Sequence, residues 1–423
     1  MSALPWDLLP ESAEVGPNGQ LMVGGCDVGE LADEYGTPLF VYDEAQLRDR
    51  CREAVAAFGD GVAYATKAFL CRAMARLAHE EGMHLDVASG GELTVALSAG
   101  VPAARIVLHG NNKSDDELRR ARAAGVGRIV VDSFDELDRL DRLHAADGLV
   151  PKVLLRITPG VEAHTHEFVM TGQDDSKFGF GLKVGDATRA AERARTSPAV
   201  DLVGLHAHIG SQVFVAGFYE QAVDALAPVV NQLGLPELSI GGGIGVAYIE
   251  GEEAPSITEW GDVVRRACAA AGITATVSAE PGRAIAAAAG LTLYRVGTVK
   301  DVPGIRRFVA CDGGFIDNPR PALYGSGYET FLPRDVLADR TEVVRLVGKH
   351  CESGDVLVPE AKVPPGITVG DLIATPVTGA YGRSMGSNYN LLARPAVVFV
   401  ADGRARVVLR RETDDDLLAT DVG

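Results

Sequence analysis

The chain has 423 residues, of which 47% are hydrophobic and 23% are charged. This balance is that of a globular protein, and the length is enough for two or three domains. The formal net charge is −18 at pH 7. A negative field of this sign repels phosphate backbones, so no nucleic acid partner is expected. No apolar run approaches the roughly 20 residues that a membrane-spanning helix needs, so no membrane partner is expected either.

The cysteines and the N-terminus indicate a compartment. Six cysteines are scattered along the chain without a CxxC pair, which is typical of reduced thiols in a cytosol. The N-terminus, MSALPWDLLPESAEVG, lacks the basic stretch and apolar run of a secretory signal. The sequence therefore predicts a cytoplasmic protein.

Between residues 62 and 280, short apolar runs alternate with amphipathic or alanine-rich runs. Eight short runs are predicted strands: 62–66, 84–88, 105–109, 128–132, 152–157, 202–209, 237–241 and 275–280. Three of the intervening helices begin with the capping-box spacing S-x-x-E, at Ser89, Ser114 and Ser133. This α/β alternation predicts a parallel sheet closed into a (β/α)₈ TIM-type barrel. The alternative is an open doubly wound sheet, which is less favoured because no G-x-G-x-x-G follows the first strand.

After about residue 290 the predicted strands follow one another without intervening helices. They cover 291–299, 306–312, 342–348, 371–377 and a pair around Asp402-Gly403. An Asp-Gly between two apolar runs is a strong signal for a hairpin turn. We therefore predict a barrel domain over 36–288. Residues 1–35 and 289–423 are predicted to form a C-terminal all-β domain, as a sandwich or a small barrel.

Polar residues stand at the C-terminal ends of the predicted barrel strands, where barrel enzymes carry their chemistry. In chain order they are Lys67, His109, Asn111, Arg156, His206, His208, Gly241 to Gly243, and Glu280. One such residue has no special meaning, since a lone lysine after a strand is usually a solvated loop residue. A whole rim of them indicates a functional site.

Lys67 and the residues after predicted strands seven and eight together indicate a cofactor site. Barrels commonly bind phosphate in the loops that follow these two strands, and the glycines 241–243 follow the seventh. Pyridoxal phosphate needs a lysine amine, a phosphate cradle and a partner for its ring nitrogen. Glu280 at the end of strand eight is a suitable partner, because a carboxylate keeps that nitrogen protonated.

Two H-x-H pairs, His164/His166 and His206/His208, leave other interpretations open. Alternate residues of a strand share a face, so each pair has the spacing to chelate zinc. A strand histidine is also often a hydrogen-bonded core residue, and His208 is placed to stack on an aromatic ring. Metal ranks last, because metal-dependent barrel hydrolases carry such a pair at the first strand, where this chain has Lys67.

Ten motifs resemble those of the diaminopimelate decarboxylases and occur in the same order. They are YATK, DVASGGEL, HGNNKSDDEL, HTHEFVMTGQDDSKFGFGL, LHAHIGSQ, GGGIGVAY, EPGRA, DGGFIDNPRPALYG, KHCESGD and GAYGRSMGSNYN. They extend from about residue 35 to 395. That family consists of fold-type III pyridoxal phosphate enzymes, so the resemblance implies an alanine-racemase-like barrel with a C-terminal β domain.

The resemblance also implies roles around the cofactor, pyridoxal 5′-phosphate. Lys67 would form the Schiff base with it, His208 would stack on its ring, and Glu280 would pair with its ring nitrogen. The residues that would surround the phosphate and the substrate are Ser211, Gly241, Gly242, Gly243 and Arg283. Ornithine and arginine decarboxylases share the lysine, the glycines and the E-P-G-R stretch, so these features do not separate the related enzymes.

A second set of roles concerns the substrate. Arg320 and Tyr324 would hold a substrate carboxylate, and Tyr381 would touch both cofactor and substrate. Cys351 would return a proton to the carbanion, and Glu352 would bind the distal amino group. In this family Cys351 and Glu352 enter from the partner subunit, so the resemblance implies a homodimer with shared active sites. Without the resemblance, Cys351 would be an ordinary free thiol and Arg320 a surface ion pair.

The implied reaction is decarboxylation of meso-2,6-diaminopimelate to L-lysine and CO₂, the last step of lysine biosynthesis. A decarboxylase for another basic amino acid is the nearest alternative, and Arg320 argues against it, because a substrate with one carboxylate gives this arginine no partner. A racemase on the same barrel, a non-catalytic homologue and a metal-dependent hydrolase are more distant. Lys67 and Cys351 argue against a non-catalytic role.

Overall fold

The computed structural model describes residues 3–161 and 175–423. The chain divides into two compact units. The β unit comprises Met1–Asp49, Ala247–Glu253 and Ile285–Gly423, and the barrel unit comprises Arg50–Val246 and Ala254–Ala284. The pair His164/His166 lies outside the described residues. None of the helices in the described part has the length and apolar character needed to cross a membrane.

The N-terminal elements are short. They are β1 (Glu14–Val15), β2 (Leu21–Val23), β3 (Cys26–Asp27), α1 (Val28–Tyr35), β4 (Leu39–Asp43) and α2 (Glu44–Phe58). The first three strands form a small antiparallel sheet. Helix α1 begins after Asp27, whose carboxylate accepts hydrogen bonds from the N–H groups of Gly29 and Glu30.

Parallel strands form the sheet of the barrel unit. In chain order they are β5 (Ala63–Ala65), β6 (His84–Val87), β7 (Ile106–Leu108), β8 (Arg128–Val131), β9 (Lys152–Thr158), β10 (Phe180–Gly181), β11 (Asp201–Ala207), β12 (Glu237–Ser239) and β13 (Thr276–Ser278). Eight of them pair in one continuous order, and the two-residue β10 pairs with β9 alone. The N–H of Ala63 donates to the carbonyl of Ala279 at 2.9 Å, and that of Ala65 to Pro281 at 3.1 Å. These bonds join the first strand to the end of the last, which confirms the predicted barrel and rejects the open sheet.

Helices alternate with these strands. They are α3 (Arg72–Glu80), α4 (Gly90–Ser98), α5 (Asp115–Ala124), α6 (Phe134–Asp147), α7 (Asp186–Thr196), α8 (Gly217–Leu233), α9 (Ile257–Ala270) and the short α10 (Arg283–Ala286). The three predicted caps are present, since the hydroxyls of Ser89, Ser114 and Ser133 each accept from the N–H three residues on. Capping therefore fixes where each of these helices begins after its strand.

The rest of the β unit follows the barrel in the chain. Its elements are β14 (Gly290–Val302), β15 (Arg306–Cys311), α11 (Arg320–Tyr324), β16 (Glu342–Val347), β17 (Val356–Val363), β18 (Leu372–Thr375), β19 (Ala396–Ala401), β20 (Arg404–Leu409) and α12 (Asp414–Leu418). The predicted hairpin joins β19 to β20, with positive φ at Asp402 (51°) and Gly403 (69°).

Strand β4 lies within the range predicted for the barrel, yet it pairs in the sheet of the β unit. It runs antiparallel to β14 and parallel to β19. All five of its residues, LFVYD, are buried. Sequence analysis assigned no strand here.

Candidate active site

The carboxylate of Glu280 lies at the centre of a buried polar cluster in the barrel unit. It follows β13, and its partners come from β11, from β12 and from the end of β7. His206 on β11 places Nε2 2.9 Å from Oε2 of Glu280. The hydroxyl of Ser239 on β12 donates to Oε1 at 2.8 Å. His109, which follows β7, places Nε2 3.4 Å from Oε1 and 3.6 Å from a carboxylate oxygen of Asp86.

The histidines keep Glu280 charged. Burial opposes ionisation of this carboxyl group, but His206 and His109 outweigh burial and hold its pKa well below the ordinary value. Burial lowers the pKa of His206, so its Nε2 donates as part of a neutral ring. Burial acts the same way on His109, but the charges of Asp86 and Glu280 reverse the effect and raise its pKa. The site thus contains an ionised carboxylate beside a histidine that readily becomes a cation.

His208 is a neutral ring with a fixed tautomer. Burial, together with the positive charge of Lys67, holds its pKa well below the ordinary value. Its Nδ1 accepts a hydrogen bond from the N–H of Gly242 at 3.1 Å. Since Nδ1 is the acceptor, the single ring proton of His208 is on Nε2. A neutral, oriented ring is suited to stacking on a planar ligand.

Lys67 lies in a short 3₁₀ turn, Thr66–Ala68, directly after β5. Its side chain is exposed, whereas Thr66 and Ala68 on either side are buried. The hydroxyl of Thr66 donates to the carbonyl of Asp86 at 2.8 Å and so fixes the turn. The charge of Lys67 acts on both Asp86 and His208. The structure therefore brings Lys67, His208 and Glu280 into one electrostatic site, as their strand-end positions predict.

The glycines after β12 are required by close backbone packing. A Cβ on Gly242 would lie 2.1 Å from the carbonyl oxygen of Glu280. A Cβ on Gly243 would lie 2.0 Å from that of Gly210, and φ there is +108°. The N–H of Glu280 also donates to the carbonyl of Gly241 at 2.8 Å. The glycine loop and the Glu280 backbone are thus packed against each other.

We expect Gly242→Ala to destabilise the protein by at least about 2 kcal/mol, because a backbone carbonyl has to move away from the new methyl group. Thermal unfolding measures the effect. Gly91→Ala is the matched control, since a Cβ there meets its nearest neighbour at an ordinary 3.7 Å and alanine favours the helix α4. Equal unfolding midpoints for the two variants would contradict the packing argument.

Two more predicted residues of the barrel unit are in contact with each other. Arg283 begins α10, and its Nη2 donates to the hydroxyl of Ser211 at 3.0 Å. The arginine is 9% exposed and the serine is half-buried. A guanidinium and a hydroxyl held in this way are suitable donors for a phosphate group.

The polar cluster around Glu280 also has the composition of a metal site. His109, His206 and Glu280 each offer one ligand atom, and these atoms lie within 4.8 Å of one another. Among residues 3–161 and 175–423, the group of possible metal ligands that contains His206 includes His109 and does not include His208. The pair His206/His208, whose spacing left a chelating interpretation open, is therefore not the grouping that the structure forms.

The β unit contains the remaining predicted residues. Arg320 begins α11 and is buried, and Tyr324 ends that helix and is half-buried. Cys351 and Glu352 are exposed, and Tyr381 is half-buried with a left-handed backbone, φ 60°. The hydroxyl of Tyr389 forms a short hydrogen bond with the carboxylate of Glu352.

Asp355 fixes the loop that carries Cys351. Its carboxylate accepts from the N–H of His350 at 2.9 Å and from that of Phe315 at 2.7 Å. The rings of Phe315 and His350 lie 4.8 Å apart between centroids. One buried carboxylate thus connects the segment before Cys351 to the segment that leads to Arg320. Sequence reasoning missed this role, because nothing local distinguishes Asp355 from a solvated loop acid.

Asp317 lies in the segment before Arg320 and makes the stability of the fold depend on pH. Burial, helped by the charges of Asp312 and Asp355 and opposed by Arg411 and the Gly314 N–H, raises its pKa from 3.8 to about 7. The folded state therefore holds a proton that the unfolded state has released, and this contribution to stability is lost as the pH rises through about 7.

We expect the free energy of unfolding of the wild type, relative to that of Asp317→Asn, to fall by about 2 to 3 kcal/mol between pH 5 and pH 8. The comparison isolates Asp317, because asparagine stays neutral throughout this range. Denaturant unfolding of both proteins at the two pH values measures it. A difference that does not change with pH would mean that Asp317 is ionised in the folded protein at pH 5.

A family model described as "Pyridoxal-dependent decarboxylase, pyridoxal binding domain" matches residues 44–287. The match covers the strands and helices from α2 to α10, including every barrel residue of the site. The fold and site therefore define the class of protein, a pyridoxal-dependent decarboxylase.

Proteins similar to nearly the whole chain identify the family within this class. The chain is 49% identical to "Diaminopimelate decarboxylase" of Mycobacterium tuberculosis, covering 96% of this chain and 95% of that protein. It is 45% identical to the enzyme of that name from Bacillus subtilis, with 96% of each covered. The crystal structure of diaminopimelate decarboxylase from M. jannaschii in complex with L-lysine is similar, with a TM-score of 0.90, 31% identity and 98% of each chain covered. The chain belongs to the diaminopimelate decarboxylase family.

Proposed function

We propose that this protein decarboxylates meso-2,6-diaminopimelate to L-lysine and CO₂ with pyridoxal phosphate as cofactor. One proton is taken up for each CO₂ released. The observation that carries the proposal is the buried carboxylate of Glu280, which is hydrogen-bonded to Ser239 and His206. Lys67 follows β5 in the same barrel, and His208 is oriented by the N–H of Gly242. The relatives named above support the substrate, and L-lysine bound to the M. jannaschii enzyme is the expected product.

The barrel residues fit the cofactor. Lys67 is an exposed amine at a strand end and would hold the cofactor covalently. The neutral ring of His208 would stack on the pyridine ring, and Glu280 would hold a proton on the ring nitrogen. Ser211, Arg283 and the glycines 241–243 would bind the phosphate. A protonated pyridine withdraws electrons from a bond that breaks beside it, which is the chemistry the cofactor supplies.

The β-unit residues would bind the substrate and provide the proton. Arg320 and Tyr324 would bind the carboxylate that is retained, and Tyr381 would contact both cofactor and substrate. Glu352 would bind the amino group at the same end of the substrate. The thiol of Cys351 would donate its proton to the carbon that has lost CO₂.

We further propose that the active form is a cytoplasmic homodimer in which Cys351 and Glu352 serve the partner's site. Exposure of both side chains supports their use in such an assembly. No disulfide joins any of the six cysteines within the described residues, which suits a reducing compartment. Sedimentation of the purified protein tests the dimer. Mixing Lys67→Ala with Cys351→Ala protein tests the sharing, because a mixed dimer would regain one intact site.

The reaction is tested by measuring CO₂ release from meso-diaminopimelate. The protein is supplied with pyridoxal phosphate, and L-lysine is identified as the product. A protein that binds the cofactor yet releases no CO₂ would refute the substrate and leave the cofactor site standing. L-lysine, L-ornithine and L-arginine are the comparison substrates. Turnover of one of these in preference to meso-diaminopimelate would favour the alternative decarboxylase.

A further inference from the structure

Arg320 is a buried cation enclosed by two tyrosines of the β unit. It is 4% exposed, and Tyr248 and Tyr328 are 3% and 4% exposed. The guanidinium carbon lies 4.0 Å from the ring centroid of Tyr248 and 5.4 Å from that of Tyr328. Its Nη1 also donates a short hydrogen bond to the hydroxyl of Tyr328. The two rings lie edge to face with their centroids 5.3 Å apart.

No carboxylate of the described residues forms an ion pair with Arg320. The acid nearest in sequence to Tyr328 is Glu329, and it is already paired with Arg340, whose Nη1 lies 2.5 Å from its Oε2. Asp317, just before the helix, accepts from the N–H of Gly314 instead. Burying a guanidinium without a counter-charge is unfavourable. The arginine is therefore prepared for an anion that the described part of the chain does not provide.

The segments that carry the two tyrosines are fastened to each other. The N–H of Glu250, two residues after Tyr248, donates to the carboxylate of Glu329 at 3.2 Å. A Cβ on Gly327 would lie only 3.0 Å from the side chain of Ile249, so the two segments pack closely there. Two segments that are distant in the sequence thus pack against each other to enclose Arg320.

We propose that Tyr248 and Tyr328 are positioning residues that set the preference for a substrate with a carboxylate at the end remote from the reacting carbon. The inference rests on the proposed function. The face of Tyr248 and the hydroxyl of Tyr328 hold the guanidinium in one orientation and exclude water from it, so that a bound carboxylate meets a fixed, poorly hydrated donor. A substrate without that carboxylate leaves the arginine unpaired and is rejected.

A double-mutant cycle tests whether the tyrosines act through Arg320. The holoenzyme carrying Tyr248→Leu is compared with wild type, with Arg320→Met and with the double variant. The readouts are KM and kcat for meso-diaminopimelate, and the Kd of L-lysine, which keeps the remote carboxylate. Tyr248→Phe is the matched control, since it retains the aromatic face.

We expect Tyr248→Leu to raise KM and the Kd of L-lysine about tenfold in the presence of Arg320, with kcat within about twofold. In the Arg320→Met background it should have no further effect, and Tyr248→Phe should resemble wild type. Equal effects of Tyr248→Leu in both backgrounds, or no effect on binding in either, would overturn the inference.

Tyr328→Phe gives a second cycle if Tyr248→Leu does not fold, because it deletes one hydroxyl and keeps the ring. It is expected to weaken L-lysine binding about tenfold only where Arg320 is present. These outcomes are separate from the proposed function. A wild-type protein that releases no CO₂ refutes the function, whereas an active wild type with additive cycles refutes only the roles of the tyrosines.

Discussion

Lys67→Ala is expected to lower kcat at least about a thousandfold and to abolish covalent attachment of pyridoxal phosphate. The reason is that the substitution removes the amine that would bind the cofactor covalently, at a position directly after β5. Absorbance of the bound cofactor shows attachment. Borohydride reduction followed by peptide mapping then identifies the modified lysine.

Lys152→Ala is the matched control, because Lys152 is an exposed lysine at the opposite, N-terminal end of a barrel strand. It should keep wild-type attachment and turnover. Normal turnover by Lys67→Ala, or reduction of the cofactor onto a different lysine in the wild type, would remove Lys67 from the mechanism.

Glu280→Gln is expected to lower kcat about a hundredfold or more, because an amide has no negative charge with which to hold a proton on the pyridine nitrogen. The substitution also has an effect that is visible without turnover. The charge of Glu280 raises the pKa of His109, so this pKa should fall in the variant. NMR titration of selectively labelled histidine in the cofactor-free protein measures that change.

Ser239→Ala separates the charge from the hydrogen bond. It removes the 2.8 Å bond from the serine hydroxyl to Oε1 of Glu280 and the 3.2 Å bond that the hydroxyl oxygen accepts from the N–H of Gly241. Because the charge of Glu280 stays, the substitution should cost less than about tenfold in kcat. If Glu280→Gln kept kcat within twofold of wild type and left the titration of His109 unchanged, the carboxylate would have no electrostatic role in the site.

The barrel and its rim could be predicted from the sequence because they depend on local patterns. Apolar runs, caps and polar strand ends repeat along the chain, and the closed order of parallel strands places those ends at one mouth. This was sufficient to select Lys67, His208 and Glu280 as candidate site residues. His109 and His206 were noticed at the rim, but their joint contact with Glu280 depends on strand register, which no local pattern reveals.

The β unit was less predictable because its contacts join distant segments. Tyr248 stacks on Arg320 from a loop that belongs to a glycine-rich barrel motif in the sequence. Asp355 accepts hydrogen bonds from two backbone N–H groups. Such bonds do not depend on the type of the donor residue, so the sequence does not reveal them. Arg320, Tyr324, Cys351, Glu352 and Tyr381 were selected only through the resemblance to a family, and their roles remain predictions.

The distribution of the cysteines has a practical consequence for chemistry on this protein. Of the six in the sequence, Cys351 is exposed and the other five are buried. In the separated subunit, a maleimide or other thiol-selective reagent should therefore modify the proposed proton donor before any other thiol, without prior mutagenesis. A fluorophore or spin label attached to Cys351 would detect changes in the loop that Asp355 fixes. Electrophilic inhibitors would react with the same thiol.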